Sequence, residues 1–486
     1  MRISKLFSLG KSQYELDFID IDVDVDLPLF LDSYYINTLK TPIGIEAAFD
    51  INSFIRFFFG LLKSDLEYEA QELFSYLGEP NETCLGMSQQ NPQGKGVGPT
   101  DTQKIFKGIS QSKVIQLDIM ENLEDLRIFV PGIDKDKTSD MTTNIIRGQL
   151  VLYTQNQCKL WGIPLQSGVP SGFTWNRKTL TWDMCHTDML VINDRKILLV
   201  PKSFASFSKD YTPQKYLQHF VLNFIQAKHM ADRTHLLQVR IRKNGSRREW
   251  VTKKSIKEDL EKTLNHIDKD FLTNFTANNP MVFRNFKEKT KNNLRTLLNE
   301  ELTLESLETI VIFLKEKLTE MPTGSQHATE YHRTVTGILE LLLYPHLCNP
   351  ILEKEIHEGR KRIDLVFANN AETGFFYRLP TVHQIPSSFI MVECKNYTAD
   401  VANAELDQLS GRFSVNRGQF GLLLCRDIDD MDRFMARCND THKDHRGVII
   451  PITDTDLLKA LDAFIGTGTT ALEDIMKDKF AYIALN

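Results

Sequence analysis

The amino-acid sequence predicts a mixed α/β (α+β) protein whose last third combines strands with helices. Four short runs of apolar and β-branched residues, bounded by turn residues, have the length and composition of strands. They lie at Leu352–Ile356, Arg362–Phe367, Phe389–Lys395 and Phe420–Cys425. Apolar residues at helical spacing predict one helix at Ala328–Pro345 and another at Ala404–Phe413. The predicted order of this C-terminal core is therefore α-β-β-β-α-β.

Length and local composition divide the chain into three parts. A chain of 486 residues exceeds what one hydrophobic core usually holds, so we expect about two to four domains. We predict a larger mixed α/β N-terminal domain at residues 1–235, a basic hairpin with a helical connector at 236–325, and the C-terminal core at 326–486. Proline, glycine and serine at Met321–Ser325 mark the boundary before the core.

Composition places few limits on function. Hydrophobic residues make up 42% and charged residues 25%, as in ordinary globular proteins, and a net charge of -6 requires any nucleic-acid-binding surface to be local. The seven cysteines include no CxxC pair, which favours reduced thiols. The chain has no apolar signal region and no apolar run of spanning length. We therefore expect a cytoplasmic protein that does not enter a membrane.

Three N-terminal segments have two interpretations each. Acids alternate with apolar residues over Tyr14–Asp26, which favours a strand with one solvated face over a cation site. The aspartates of Asp134–Asp140 lead into a helix, and Ser139 or Asp140 as its N-cap is favoured over a second ligand site. The glycines of Gly94–Pro99 favour a flexible turn over a phosphate contact.

The chemistry of the chain is concentrated on two predicted strands of the core. Because side chains alternate along a strand, Glu393 and Lys395 leave the same face. Both are costly to bury unless they have partners. If Asp364 lies on the neighbouring strand, the three side chains form a cluster of two carboxylates and one ammonium group. That cluster outlines a site for a metal and a base, whereas an isolated pair would be a surface salt bridge.

These residues and this element order resemble the restriction-endonuclease-like PD-(D/E)xK nuclease superfamily, most nearly its Mrr-like branch. The resemblance covers the C-terminal third, where Asp364 matches the motif aspartate and Glu393-Cys394-Lys395 matches (D/E)xK. The acid of the preceding helix is matched by Glu330, with Glu340 as an alternative, and the polar residue of the following helix by Gln408. Two departures are Ile363 in place of the signature proline and a long spacer between Asp364 and Glu393, which we expect to be an insertion or a long hairpin tip.

The resemblance implies a catalytic set of Asp364, Glu393, Lys395, Glu330 and Gln408. Mg²⁺, for which Mn²⁺ may substitute, would be held by Asp364, Glu393 and the backbone carbonyl of Cys394, with Glu330 acting through a water or a second ion. Lys395 would hold or deprotonate the attacking water, or stabilise developing negative charge. Gln408 and Arg412 share one helix face, where they would position the water and a phosphate.

Basic residues supply candidate contacts to nucleic acid. The most basic stretch surrounds a predicted hairpin turn at Asn244-Gly245 and favours either phosphate contact or a solvated face. Candidate contacts there are Arg240, Arg242, Lys243, Arg247 and Arg248, and near the site they are Arg360, Arg362 and Arg412.

The sequence and the resemblance together indicate a metal-dependent endonuclease that hydrolyses phosphodiester bonds in DNA, in defence against phage or foreign DNA. One alternative is a sensor or scaffold that binds nucleic acid without cutting it and docks a partner protein or another copy of the chain. A DNA-repair nuclease is a second alternative. The intact Asp364, Glu393 and Lys395 favour an enzyme.

Overall fold

A computed structural model of the chain describes residues 1–86, 99–112, 115, 119–206, 211–242, 246–264, 266–291, 295–356, 361–397, 400–467 and 470–485. These residues form a mixed α/β structure, as the sequence predicts. The twelve strands within these ranges are β1 Phe30–Leu31, β2 Gln166–Asn176, β3 Thr181–Ile192, β4 Arg195–Ile197, β5 Ala205–Ser206, β6 Gln238–Ile241, β7 Arg247–Trp250, β8 Leu347–Ile356, β9 Lys361–Asn369, β10 Phe389–Lys395, β11 Phe420–Cys425 and β12 Val448–Thr453.

The N-terminal region packs helices against a three-stranded antiparallel sheet in the order β2-β3-β4. Its longest helix begins after Thr41, whose side chain accepts a hydrogen bond from the Gly44 amide, and Pro42 occupies the first helical position. The main helices before β2 are Pro42–Lys63, Glu67–Phe74, Pro99–Ser110, Asp125–Phe129, Lys135–Ile145 and Arg147–Trp161. Phe54 and Phe58 of this longest helix are buried in the core.

Further helices lie between this region and the C-terminal sheet. They span Pro213–Tyr216, Leu217–Val221, Leu222–Ala231, Lys253–Thr263, Lys269–Asn278, Pro280–Lys291 and Leu307–Glu320. Phe283 and Phe286 belong to the hydrophobic core of the N-terminal region, whereas Leu314 and Leu318 belong to the C-terminal core. The helices between residues 253 and 320 therefore contribute to both cores.

The C-terminal region contains a five-stranded mixed sheet in the order β12-β11-β10-β9-β8. Strands β8, β9 and β10 are antiparallel neighbours, and β10, β11 and β12 run parallel. All four strands predicted for the core are present. The flanking helices are Ala328–Leu343, Gly374–Thr381, Asn403–Ser410, Met431–Lys443, Asp454–Thr467 and Thr470–Leu485. The helix Gly374–Thr381 occupies part of the long spacer between β9 and β10.

The strand predicted for Tyr14–Asp26 is wrong. This segment contains a 3-10 helix at Gln13–Glu15 and otherwise irregular chain with isolated bridges. Asp17 and Asp20 are only 1% and 3% exposed. Asp20 accepts hydrogen bonds from the Ser4 amide and hydroxyl, so its carboxylate is buried with partners rather than solvated on a strand face.

The predicted N-cap at Ser139 or Asp140 is also wrong. The helix Lys135–Ile145 begins four residues earlier than Ser139, and Asp134 caps it by accepting a hydrogen bond from the Lys137 amide. The Ser139 hydroxyl instead accepts a hydrogen bond from the Leu31 amide. The segment Gly94–Pro99 precedes the helix Pro99–Ser110. Its three glycines lie outside the described residues, so the predicted flexible turn stays a prediction.

Two further sequence expectations can be compared with the fold. All seven cysteines are free thiols. No helix in the described part of the chain is both long enough and apolar enough to cross a membrane.

Candidate active site

The candidate site lies where β9 and β10 stop pairing. The last pair of their antiparallel ladder is Leu365 with Val392. One further step along the same register brings Asp364 opposite Glu393. There the ladder is replaced by a side-chain contact, because the Cys394 amide donates a hydrogen bond to Asp364 Oδ2 at 3.1 Å. The two predicted carboxylates therefore meet at the point where the strands separate.

Glu393 is completely buried and has three donors around its two oxygens. Lys395 Nζ donates to Oε1 at 2.8 Å, and Gln408 Nε2 donates to the same oxygen at 2.5 Å. Arg412 Nη1 donates to Oε2. Gln408 also accepts a hydrogen bond from Lys395 Nζ at 3.3 Å, so the four side chains form a continuous polar network.

The electrostatics of this network follow from its burial. Burial raises the pKa of Glu393, and the Asp364 carboxylate adds to the rise, although the hydrogen bond from Lys395 and the charges of Lys395 and Arg412 oppose it. Burial alone would lower the pKa of Lys395. The hydrogen bond to Glu393 and the negative charge of that residue oppose this effect, and the net result is a raised pKa. Lys395 therefore carries a positive charge at neutral pH.

A cleft of about 470 Å³ opens beside the network. It is lined by Gly324, Ser325, Ala328, His332, Asp364, Cys394, Lys395, Asn396 and Tyr397. Its far wall is attached to the end of β10, since Asn396 Nδ2 donates to the carbonyls of Pro322 and Gly324, and the Gly324 amide donates to the Asn396 carbonyl. The loop at Met321–Ser325 is therefore part of the site as well as a connection between helices.

His332 is a site residue that the sequence reasoning missed. Its Nε2 lies 3.2 Å from the Cys394 carbonyl oxygen, and its side chain lines the cleft. Ala328 and His332 are four residues apart on one helix and both face the cleft. The spacing predicts that they share a helix face, but not that this face meets the end of β10.

The structure does not bring either helix acid to the cleft. The Glu330 side chain is 56% exposed and lies 3.8 Å from Lys317 Nζ. Glu340 is completely buried, and burial raises its pKa well above the usual range. Lys202 Nζ lies 3.9 Å from Glu340 Oε2. Glu330 points outward because it is two residues from His332, which places their side chains on nearly opposite sides of the helix.

The predicted nucleic-acid contacts are divided between several places. Arg412 is buried against Glu393 and does not face solvent as a free phosphate contact. Arg362 is exposed and lies 3.4 Å from Glu355 on the neighbouring strand. Arg240, Arg242, Arg247 and Arg248 are exposed on the hairpin formed by β6 and β7. Lys243 and Arg360 lie outside the described residues.

The donor set at the cleft fits a hard cation in kind. Asp364 and Cys394 line the cleft, and the register of β9 and β10 brings Glu393 opposite Asp364. Mg²⁺ typically uses one or two carboxylates and completes its shell with water and substrate phosphate. Within the described ranges, no group of three or more His, Cys, Asp or Glu side chains is arranged to hold a metal ion. The protein would therefore supply only part of the coordination shell.

Comparisons with known proteins bear on the N-terminal region alone. A family model described as a domain of unknown function (DUF8370) matches residues 8–212. Searches among curated proteins and among solved structures found no match. The matched segment covers the N-terminal helices and the β2-β3-β4 sheet, and the candidate site lies outside it.

Proposed function

We propose that the chain is a Mg²⁺-dependent endonuclease that hydrolyses phosphodiester bonds in DNA. One observation carries this proposal: Asp364 and Lys395 line a single cleft, and Glu393 and Gln408 contact Lys395 directly behind it. A surface salt bridge on an edge strand does not describe this arrangement, because Glu393 is completely buried on a central strand. Buried ionisable groups that converge on a cleft are characteristic of catalytic sites.

The arrangement of elements supports a PD-(D/E)xK core. The helix Ala328–Leu343 precedes three antiparallel strands, and the helix Asn403–Ser410 leads into β11, which lies parallel to β10. Asp364 lies on the second strand of this series, and Glu393 and Lys395 lie on the third. This is the placement that the resemblance implies for the motif residues.

The cleft residues would divide the work between binding the ion and binding the substrate. Asp364, Glu393 and the Cys394 carbonyl would hold Mg²⁺. When bound, this ion neutralises charge on the scissile phosphate and lowers the pKa of an attacking water. Lys395 carries a positive charge and faces the cleft, so it acts as a hydrogen-bond donor to the water or to phosphate oxygens rather than as a base. Gln408 orients Lys395 through its side-chain oxygen.

Cleavage of supercoiled plasmid DNA with Mg²⁺ or Mn²⁺ tests the proposal. We expect nicking or linearisation by the intact chain and a loss of at least about 100-fold in rate for Asp364→Asn, Glu393→Gln and Lys395→Ala, because each removes a group that contacts the ion or the substrate. Asp407→Asn is the matched control. Asp407 precedes Gln408 on the same helix, but its side chain is 61% exposed and pairs with Arg446, so cleavage should be unchanged.

Metal binding separates an enzyme from a protein that only binds nucleic acid. Calorimetric titration with Mn²⁺ should give binding to the intact chain and to Asp407→Asn, and weaker binding to Asp364→Asn and Glu393→Gln. Cleavage that survives all three site substitutions would place the active site elsewhere. If the intact chain neither binds Mn²⁺ nor cleaves DNA, the nuclease proposal is refuted and the non-cleaving alternative is favoured.

A further inference from the structure

The hairpin of β6 and β7 has two chemically different faces. The pairing of Val239 with Glu249 and of Ile241 with Arg247 places these four residues on one face. The other face carries Gln238, Arg240, Arg242, Ser246, Arg248 and Trp250. The described residues of this second face include three arginines and no acid. We call it the arginine face.

The ion pairs of the hairpin belong to the opposite face. Arg247 lies 2.7 Å from Glu249, and Arg233, from the preceding turn, lies 3.8 Å from the same carboxylate. Arg240, Arg242 and Arg248 form no ion pair within the described part of the chain. The basic run in the sequence therefore separates into a neutralised arginine on one face and three uncompensated arginines on the other.

The arginine face has an arrangement that is unfavourable without an anion. Arg240 and Arg248 are directly opposite each other across the two strands. Like charges in directly opposed positions destabilise a strand pair. Arg242 lies two residues beyond Arg240 on the same face, which adds a third guanidinium group along the strand direction. A ligand with regularly spaced negative charges would relieve the repulsion.

The hairpin is held firmly at its base. Leu222, Val251 and Ile256 form a small hydrophobic core between the helix Leu222–Ala231, the end of β7 and the helix Lys253–Thr263. Gln226 Nε2 donates to the Val251 carbonyl. The guanidinium group of Arg248 lies 5.7 Å from the centre of the Trp250 ring at this base. The arginine face is thus presented by an anchored ribbon.

We propose that this ribbon enters the major groove of duplex DNA with its arginine face toward the bases and phosphates. This inference rests on the proposed function in taking DNA as the ligand. A two-stranded ribbon fits the major groove of B-form DNA, which is about 12 Å wide. Arginine and glutamine are the side chains that form two hydrogen bonds to guanine and adenine edges, and the arginine face offers both types in Arg240, Arg242, Arg248 and Gln238. The ribbon would hold the substrate while the cleft cuts it.

Binding measured in EDTA tests the ribbon separately from cleavage. The anisotropy of a labelled short DNA duplex is followed with the intact chain and with a variant carrying Arg240→Gln and Arg248→Gln. We expect the double variant to bind on the order of tenfold or more weakly. The magnitude of the slope of log affinity against log salt should fall by about 2 between about 50 and 200 mM salt, because two guanidinium charges that release counterions from the DNA are removed. Both residues are exposed, so folding should be unaffected, which circular dichroism checks.

Arg247→Gln is the matched control. It lies on the same ribbon and changes the charge by the same amount as each single substitution, but its side chain is on the opposite face and pairs with Glu249. We expect its salt slope to remain close to that of the intact chain. An equal loss for Arg247→Gln and for Arg248→Gln would indicate a general effect of charge and would overturn the assignment of the arginine face.

The form of the nucleic acid decides the binding mode. A-form RNA has a deep and narrow major groove that side chains cannot read, so duplex RNA of the same sequence and single-stranded DNA should bind less tightly than duplex DNA. Equal binding of duplex RNA or single-stranded DNA, or no binding by the intact chain, would overturn the proposal. Ribbon-dependent binding without plasmid cleavage would support the ribbon and count against the nuclease. Plasmid cleavage by the intact chain, with binding unchanged in the Arg240→Gln and Arg248→Gln double variant, would support the nuclease and overturn the ribbon proposal.

Discussion

The two oxygens of the Glu393 carboxylate would have to serve both the side-chain network and a bound cation. One oxygen accepts hydrogen bonds from Lys395 and Gln408, and the other accepts one from Arg412. A cation held by Glu393 and Asp364 must therefore share an oxygen or displace Arg412. Since a buried carboxylate needs compensation whether or not an ion is bound, Arg412 is placed to neutralise Glu393 when the ion is absent.

Removal of Arg412 should expose this competition. We expect Arg412→Met to lower the free energy of unfolding by about 3 kcal/mol in EDTA, because Glu393 stays buried with one cation fewer. Saturating Mn²⁺ should then raise the midpoint of urea unfolding more in Arg412→Met than in the intact chain, since one carboxylate oxygen has been freed for the ion.

Arg417→Met is the control for this experiment. Arg417 is five residues further along, and its guanidinium Nη2 donates to the Arg412 carbonyl at 3.1 Å rather than to Glu393. Its substitution removes an arginine of the same size without freeing a Glu393 oxygen, so Mn²⁺ should stabilise this variant as it stabilises the intact chain. An equal gain from Mn²⁺ in all three proteins would show that Arg412 does not compete with the ion.

At the scale of single residues, the sequence predicted local relations well and distant ones poorly. The spacing of Glu393 and Lys395 on one strand predicts that they share a face, and they are in contact. The partnership of Arg412 with Glu393 could not be derived in the same way, because it depends on how the helix Asn403–Ser410 packs over the sheet. Glu330 was selected for its charge, whereas helix orientation brings His332 to the cleft instead.

At the scale of elements, the helix Lys135–Ile145 shows how burial changes an acidic segment. Burial raises the pKa of Asp140 to about 8, with further contributions from Asp136, Glu79, Asp134 and Asp26 in that order. The folded state therefore holds this proton far more tightly than the unfolded chain, whose aspartate pKa is about 3.9. Stability is lost as pH rises from about 4 to 8, and no more is lost above that range.

Asp140→Asn should remove this dependence. Below about pH 4 the carboxyl is protonated in both states, so the variant should match the intact chain. The advantage of the variant should grow through pH 6 and reach about 2 kcal/mol or more at pH 8, after a reduction for partial exposure. Urea unfolding at pH 4, 6 and 8 measures this trend. Glu69→Gln, at an exposed position on the helix Glu67–Phe74, should show none, and a constant difference for Asp140→Asn would contradict the assignment.

The success of element prediction follows from how each element is buried. The C-terminal strands were predicted because strands covered on both sides are continuous apolar runs. The alternation of Tyr14–Asp26 has the period of a strand but belongs to an irregular segment, because its acids find hydrogen-bond partners from distant parts of the chain. Periodicity reports a buried face only when hydrophobic contact determines the conformation.

At the scale of the whole molecule, Asp17 connects the N-terminal region to the C-terminal sheet. Tyr153 donates its hydroxyl hydrogen to Asp17 Oδ2 at 2.5 Å. Asn349, on β8, donates to Asp17 from its backbone amide at 2.9 Å and from its side chain at 3.1 Å. Tyr14 belongs to the C-terminal hydrophobic core, although it lies only three residues before Asp17. The two cores therefore share a buried seam, and sequence patterns within either region cannot reveal it.

Because of this seam, we expect the two regions to unfold together and Asp17→Ala to destabilise both. The substitution leaves the Tyr153 hydroxyl and two Asn349 donors without their acceptor, which should cost about 3 kcal/mol or more. Tryptophan fluorescence reports the region before residue 251, since all four tryptophans lie there, while far-UV circular dichroism reports every helix. Both unfolding midpoints should shift by the same amount for Asp17→Ala. Asp24→Ala is the control: its side chain is 61% exposed, so the free energy of unfolding should change by no more than about 0.5 kcal/mol with either probe. A shift confined to fluorescence would show that the seam does not couple the two regions. The C-terminal region that carries the cleft would then fold independently of the N-terminal region.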